Sequence, residues 1–150
     1  MESLSENTGS KEKKKFPRAV MFIIILAIVL LLRFSLSGND VSFDKIMKHT
    51  AVELNKTCPQ QVDEDTRLDS ASVHENKTFR YNYTLLNFNR DSMDVELFVL
   101  SVKPAMINNA KTNPDLQLFR DNCVTLEYYF RDELGKFMTR IEIVSNDYLN

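Results

Sequence analysis

Ala19 to Leu32, AVMFIIILAIVLLL, is fourteen apolar residues in a row with no charge, glycine or proline, and nothing else in the chain restricts it as much. A helix without a polar stripe has no side to turn to water, so such a run belongs in lipid or wholly inside protein. A helix rises about 1.5 Å per residue and a bilayer's hydrocarbon is about 30 Å thick, so about twenty residues are needed to cross it. Counting from Phe16 to Leu36 gives twenty-one, with Arg18 and Arg33 near the ends, where long cationic stems reach the headgroups. Lys11, Lys13, Lys14, Lys15 and Arg18 lead into the segment and Arg33 alone follows it closely. The positive-inside rule then predicts a single-pass inner (cell) membrane protein with a cytoplasmic amino terminus and an extracytoplasmic carboxyl-terminal domain. Membrane lipid is the first expected partner, through residues 16–36. Residues 1–15 lack apolar periodicity and end in a basic run, which predicts a short disordered cytoplasmic tail.

The rival to this signal-anchor is a cleavable signal peptide cut near Ser37. Ser35-Leu36-Ser37 offers small residues, but Arg33 sits where that stretch should be neutral, which favours the uncleaved anchor. A lipoprotein is excluded because the first cysteine is Cys58, far beyond the apolar run.

Residues 38–150 are the right length for one packed domain. Residues 1–37 hold six Lys and Arg against three Asp and Glu, leaving thirteen against eighteen in the domain. A domain with that acidic balance lacks the clustered basic surface a nucleic-acid binder needs. With only three glycines, and no P-loop, Gly-x-Ser-x-Gly or His-Glu-x-x-His, the chain carries no signature of phosphate cradling or hydrolysis. No cofactor is implied, and the expectation is a non-enzyme.

Cys58 and Cys123 are the two cysteines, and both follow the membrane segment. In an oxidising compartment an even pair reads first as a disulfide. Closing 65 residues would remove about 4 kcal/mol of unfolded-state entropy on the loop-closure argument. The alternatives are two inert thiols, or a nucleophile at Cys58 assisted by His49 or His74. Neither a Cys-x-x-Cys nor a zinc-like Cys/His spacing occurs, so no metal site is expected.

The spacing of Phe43, Ile46, Met47, Ala51 and Leu54 predicts an amphipathic helix over Ser42–Asn55. Ser42 suits its N-cap and Asp44 its positive end; Pro59 puts the stop near Lys56 to Cys58. Phe79, Tyr81, Tyr83 and Leu85 alternate with Arg80, Asn82, Thr84 and Leu86, the strongest strand signal in the chain. Its expected hairpin partner is Thr66–Val73, turning through His74–Lys77. Asp94–Val102 suits a strand or a helix, after which Pro104 restarts the chain; Ala105–Ala110 and Asp115–Asn122 look helical. Val124, Leu126, Tyr128 and Phe130 then alternate with Thr125, Glu127, Tyr129 and Arg131. The turn Asp132–Gly135 leads to a second alternating run over Phe137–Val144, a hairpin. Tyr128 and Tyr129 must point to opposite faces. The order predicts an α+β fold: an antiparallel sheet of about four strands in two hairpins, packed by helices on one face.

At Leu54-Asn55, Pro59, Val62-Asp63, Thr66-Arg67-Leu68-Asp69 and Tyr81-x-Tyr83-Thr84 the chain resembles a group of short bacterial proteins of uncharacterised function with an amino-terminal hydrophobic segment. The match covers about thirty residues, from Leu54 to Thr84. The resemblance implies a bacterial envelope domain and brings no catalytic residue. In that setting the sequons at Asn55, Asn76 and Asn82 are accidental; in a eukaryotic secretory pathway they would be glycan acceptors.

Asp63, Glu64, Asp65 and Asp69 with Arg67 form the most charged cluster of the domain. Such clusters are ordinarily solvated, with Arg67 paired to Asp69 on one strand face. As a calcium loop the cluster lacks the EF-hand's central Gly and terminal Glu. As a recognition surface, Arg67 would supply bidentate bonds and the neighbouring aromatic strand the anchors, although Phe79, Tyr81 and Tyr83 equally suit a core. The candidate binding residues are therefore Arg67, Asp69, Tyr81 and Tyr83. The expected function is a membrane-anchored, non-catalytic domain that binds another envelope protein. The alternative is a secreted or periplasmic inhibitor or ligand-binding domain released near Ser37.

Overall fold

The computed structural model describes residues 42–150, so the expected tail (1–15) and membrane segment (16–36) lie outside the described residues. Among those described, no helix is long and apolar enough to cross a membrane. The chain opens with α1 (Phe43–Asn55), whose Met47, Ala51 and Leu54 form its buried stripe. Ser42 holds the N-cap position without a side-chain capping bond, and Asp44 in the first turn pairs with Lys48 at 2.6 Å. Then follow β1 (Gln60–Gln61), β2 (Thr66–His74), β3 (Thr78–Leu85), α2 (Val95–Thr112), a 3-10 turn (Pro114–Leu116), α3 (Gln117–Asp121), β4 (Thr125–Asp132), β5 (Phe137–Ile143) and α4 (Ser145–Leu149).

Both expected hairpins form, β2/β3 and β4/β5, but they join differently from the expectation. The sheet has five strands in the order β1-β2-β3-β4-β5, and β3 pairs with β4 in parallel, Tyr81 opposite Tyr128 and Tyr83 opposite Phe130. The sheet is therefore mixed, not antiparallel. Parallel neighbours need a long crossover, and the eighteen-residue α2 supplies it. Asp94–Val102 and Ala105–Ala110 are one helix, not two segments. The Asp94 carboxylate accepts the Leu97 N–H at 3.0 Å and starts the helix. Pro104 does not break it: Pro104 and Leu100 are both exposed, so the carbonyl that lacks its proline N–H can turn to water.

The core lies between one face of the sheet and the helices. Leu68 and Ala71 on β2, Phe79, Tyr81, Tyr83 and Leu85 on β3, Leu126, Tyr128 and Phe130 on β4, and Ile141 and Ile143 on β5 are all buried. Each fully buried side chain of this kind contributes about 1.5–3 kcal/mol. The rings stack across the parallel pair, Tyr81 on Tyr128 at 5.5 Å and Tyr83 on Phe130 at 5.3 Å between centroids. Above them α1 lies along β2 and α2 along β5. Tyr148 of α4 ties the carboxyl end down, its hydroxyl donating to the Val124 carbonyl at 2.7 Å.

The outer edge of β2 is closed by several devices. Short β1 covers Arg67 and Leu68. Farther along, the Asn55 side chain pairs with Ala71 as a strand would, its amide donating to the Ala71 carbonyl at 2.9 Å and its carbonyl accepting the Ala71 N–H at 2.6 Å. An edge treated in this way no longer offers a template for another chain.

The expected disulfide is absent: Cys58 and Cys123 are free thiols. Cys58 follows α1 and lies by Asp69 and Tyr83. Cys123 comes two residues before Thr125, whose N–H bonds the Lys77 carbonyl at 3.0 Å. Five strand residues separate the level of Tyr83 from that of Thr78, about 16 Å at about 3.3 Å per residue. A bridge tolerates a Cα separation of about 7 Å.

Candidate functional site: the sheet face opposite the described helices

Side chains on a strand alternate, so burying Tyr81, Tyr83, Tyr128 and Phe130 against the helices puts their neighbours on the opposite face. Arg67, Thr84, Arg131 and Phe137 form one row across β2 to β5; Ser70, Asn82, Tyr129 and Arg140 form the next; Ser72, Arg80, Glu127 and Glu142 the third. The described helices pack from the other side.

Asp69 reaches this face because of a bulge. The β2/β3 register shifts between Leu68 and Ser70, leaving Asp69 as the extra residue, re-aimed as bulges do. Its carboxylate accepts from Arg67 Nε at 2.6 Å and from the Thr84 hydroxyl at 2.6 Å. The expected Arg67–Asp69 pair therefore exists, and Thr84 joins it. The adjoining acidic residues close the approach to β2: Asp63 accepts the Asp65 N–H at 2.8 Å, and the Asp65 carbonyl accepts the Leu86 N–H at 2.7 Å. Among the described residues no group of three or more acidic, His or Cys side chains could hold a metal ion.

The centre of the face is an ion chain with an aromatic beside it. Buried Glu127 accepts from Arg80 and lies 3.8 Å from Arg140, which pairs in turn with Glu142 at 3.1 Å. Tyr129 lies between two guanidiniums, Arg80 and Arg131 each 5.3 Å from its ring centroid, and packs on Phe137 at 4.9 Å. Such contacts hold the ring in place and are worth about 0.5–1 kcal/mol each at exposed sites. Phe137 is 49% exposed.

Of the residues expected to bind, Arg67 and Asp69 belong to this face and Tyr81 and Tyr83 do not. Both tyrosines are 3% exposed, on the opposite side of the sheet, and burial, with Tyr128 adjacent, raises their pKa values well above the ordinary phenol value. They anchor the core, not a surface shared with Arg67. The aromatics beside Arg67 are Tyr129 and Phe137 instead. The period-two alternation does place Arg80, Thr84, Glu127, Tyr129 and Arg131 on one side of their strands. It does not show that β3 and β4 are neighbours, so it cannot assemble them.

Cys58 is a partly buried thiol. Burial pushes its thiol pKa up and the Asp69 charge pushes the same way, the reverse of what a reactive thiolate needs. His74 lies 3.0 Å from the Ser72 hydroxyl at the far end of β2.

No curated protein matches the chain in sequence. In fold it is similar to a candidate secreted protein from Pseudomonas aeruginosa, with a TM-score of 0.59 and 12% identity, over 74% of this chain and 98% of that one. It is also similar to the type 2 secretion system pilotin EpsS of Vibrio vulnificus, with a TM-score of 0.55 and 8% identity over 69% and 88% of the two chains. A third likeness is to the type II secretion system pilotin AspS of Vibrio cholerae, with a TM-score of 0.51 and 13% identity over 69% and 89%. In sequence, residues 42–138 match the family described as Domain of unknown function (DUF8479), and the chain belongs to that family.

Proposed function

We propose that this is a non-catalytic, protein-binding domain of the bacterial envelope, held on the outer side of the inner membrane by residues 16–36, which meets its partner on the sheet face opposite the described helices. The observation that carries the reading is where the arginines lie. Residues 42–150 contain six arginines and seven lysines; four arginines, Arg67, Arg80, Arg131 and Arg140, are on this one face, and none of the lysines is within the strands that form it. Solvated surfaces use both cations, whereas binding interfaces are enriched in Arg, Tyr and Phe and depleted in Lys. Tyr129 and Phe137 complete that composition. The likeness in fold to two pilotins of type 2 secretion systems supports an envelope setting.

A photo-crosslinking residue placed at Ser70, Asn82 or Phe137 in the full chain tests the face. A discrete adduct in washed membranes is expected from these positions and not from Leu100, which is 73% exposed on α2. Adducts from Leu100 alone would move the partner to the helical layer. The likeness to a candidate secreted protein favours a second reading, release after cleavage near Ser37. Intact mass separates the two: full length in the membrane fraction supports the anchor, and a soluble species beginning near Gly38 removes it.

A further inference from the structure

Resting on that reading, we infer that the partner presents an extended acidic segment, with a carboxylate docking on Arg131 and an apolar side chain on Phe137. The inference comes from the charges within the face. Arg67 is paired with Asp69, Arg80 with Glu127, and Arg140 with Glu127 and Glu142. Among the described residues Arg131 makes no ion pair; its guanidinium contacts the Tyr129 ring and is otherwise exposed. Counted over the described residues, the face therefore carries one uncompensated positive charge, on a domain with eighteen Asp and Glu against thirteen Lys and Arg.

That contrast selects the ligand. An acidic segment is repelled by the rest of the domain and attracted here, so the net charge steers it and rejects other modes of docking. A basic segment meets the opposite field. A guanidinium already oriented by an aromatic ring loses less freedom on binding a carboxylate than a free one, and its planar fork takes both carboxylate oxygens. Arg131 and Phe137 are register partners on neighbouring strands. An extended chain brings every second side chain to one side at a spacing of about 7 Å, so a carboxylate and an apolar group two residues apart reach both. Tyr129 lies against both residues and forms the floor between them.

The test is fluorescence anisotropy of the full chain in detergent, with a fluorescein-labelled peptide in which Glu alternates with Phe and Ser, and with its Lys-for-Glu counterpart. Arg131→Glu is compared with Lys45→Glu, the same change of charge on exposed α1, on the helical side of the sheet. The inference expects the acidic peptide to bind, Arg131→Glu to weaken it at least tenfold, Lys45→Glu to weaken it less than twofold, and the lysine peptide not to bind. Arg131→Gln, which removes the charge without adding one, should weaken it by an intermediate amount. Equal losses in the two charge-reversed variants would reduce the effect to net charge and overturn the inference. Binding of the lysine peptide to the face, or of neither peptide while crosslinks still form from Ser70 and Asn82, would overturn the acidic chemistry and leave the face as the docking surface. Loss of the crosslinks as well would remove both.

Discussion

Two tyrosines that differ in one bond predict opposite effects of the same substitution. The Tyr128 hydroxyl is buried and has no hydrogen-bond partner among the described residues, whereas the Tyr148 hydroxyl donates to the Val124 carbonyl at 2.7 Å. Leaving a buried polar group unsatisfied costs about 1–3 kcal/mol, and a made bond returns about 1 kcal/mol net. Tyr128→Phe removes the orphan and keeps the ring, still stacked on Tyr81 at 5.5 Å and Tyr83 at 6.4 Å. It should stabilise the fold by about 1 kcal/mol. Tyr148→Phe strands the carbonyl of fully buried Val124 and should cost about 1–3 kcal/mol. For a domain of this size each kcal/mol moves Tm by about 4 °C, so the two variants should melt on opposite sides of the parent. Urea unfolding followed by circular dichroism should show the midpoints moving with the slope unchanged, the signature of a change in stability alone. If Tyr128→Phe destabilises as much as Tyr148→Phe, the Tyr128 hydroxyl is bonded in solution and the reasoning fails.

Asn55→Asp should destabilise more than Asn55→Ala, since a carboxylate placed where the amide now donates would face the Ala71 carbonyl; about 2–3 kcal/mol against about 1–2 is expected from chemical unfolding, and equal losses would show that only packing matters there. Intact mass of the native protein should be unchanged by reductant, and Cys123, which is exposed, should alkylate faster than Cys58, whose pKa is raised by burial and by Asp69; a gain of two protons on reduction would restore the bridge. Burial pushes the Tyr148 phenol up to about 12 from an ordinary 10.0. The raised folded-state value favours the neutral phenol, so its contribution is complete below the unfolded value and is lost as pH rises from about 10 towards 12. The pKa values of Tyr81, Tyr83 and Tyr128 are raised in the same direction by burial. Phenolate absorbance from these four tyrosines should therefore appear together with unfolding; their smooth titration before unfolding would contradict the burial.

The elements set by local periodicity were legible in the sequence. The stripe of Met47, Ala51 and Leu54 and the alternation through Phe79 to Leu85 and Val124 to Phe130 located α1, β3 and β4 to within a residue or two. What escaped depends on contacts made far along the chain. The alternation that makes β3 a strand is the same whether its neighbour runs parallel or antiparallel, so the β3/β4 join could not be read from it. Pro104 looked like a break because a proline alone does not show that its turn faces water. The bulge did leave a trace: apolar positions change parity between Leu68 and Ala71, a spacing of three inside a strand, which a strict period of two does not allow.

Burial and recognition place opposite demands on a pair of neighbouring strands, and that explains why Tyr81 and Tyr83 lie on the core side of the sheet while Arg67 and Asp69 lie on the other. A strand pair at the middle of a one-sided sheet must put its largest apolar groups against the helices, so the strongest aromatic alternation marks the core side. Any binding chemistry has to lie in the weaker, polar half of the same alternation. Arg80, Thr84, Glu127, Tyr129 and Arg131 are that half, and they come together only when α2 returns the chain parallel to β3 and brings Arg80 opposite Glu127. The Arg80–Glu127 contact joins residues 47 apart in sequence. One crossover therefore both closes the core and assembles the face, and the aromatics best placed to hold the first are by parity unavailable to the second.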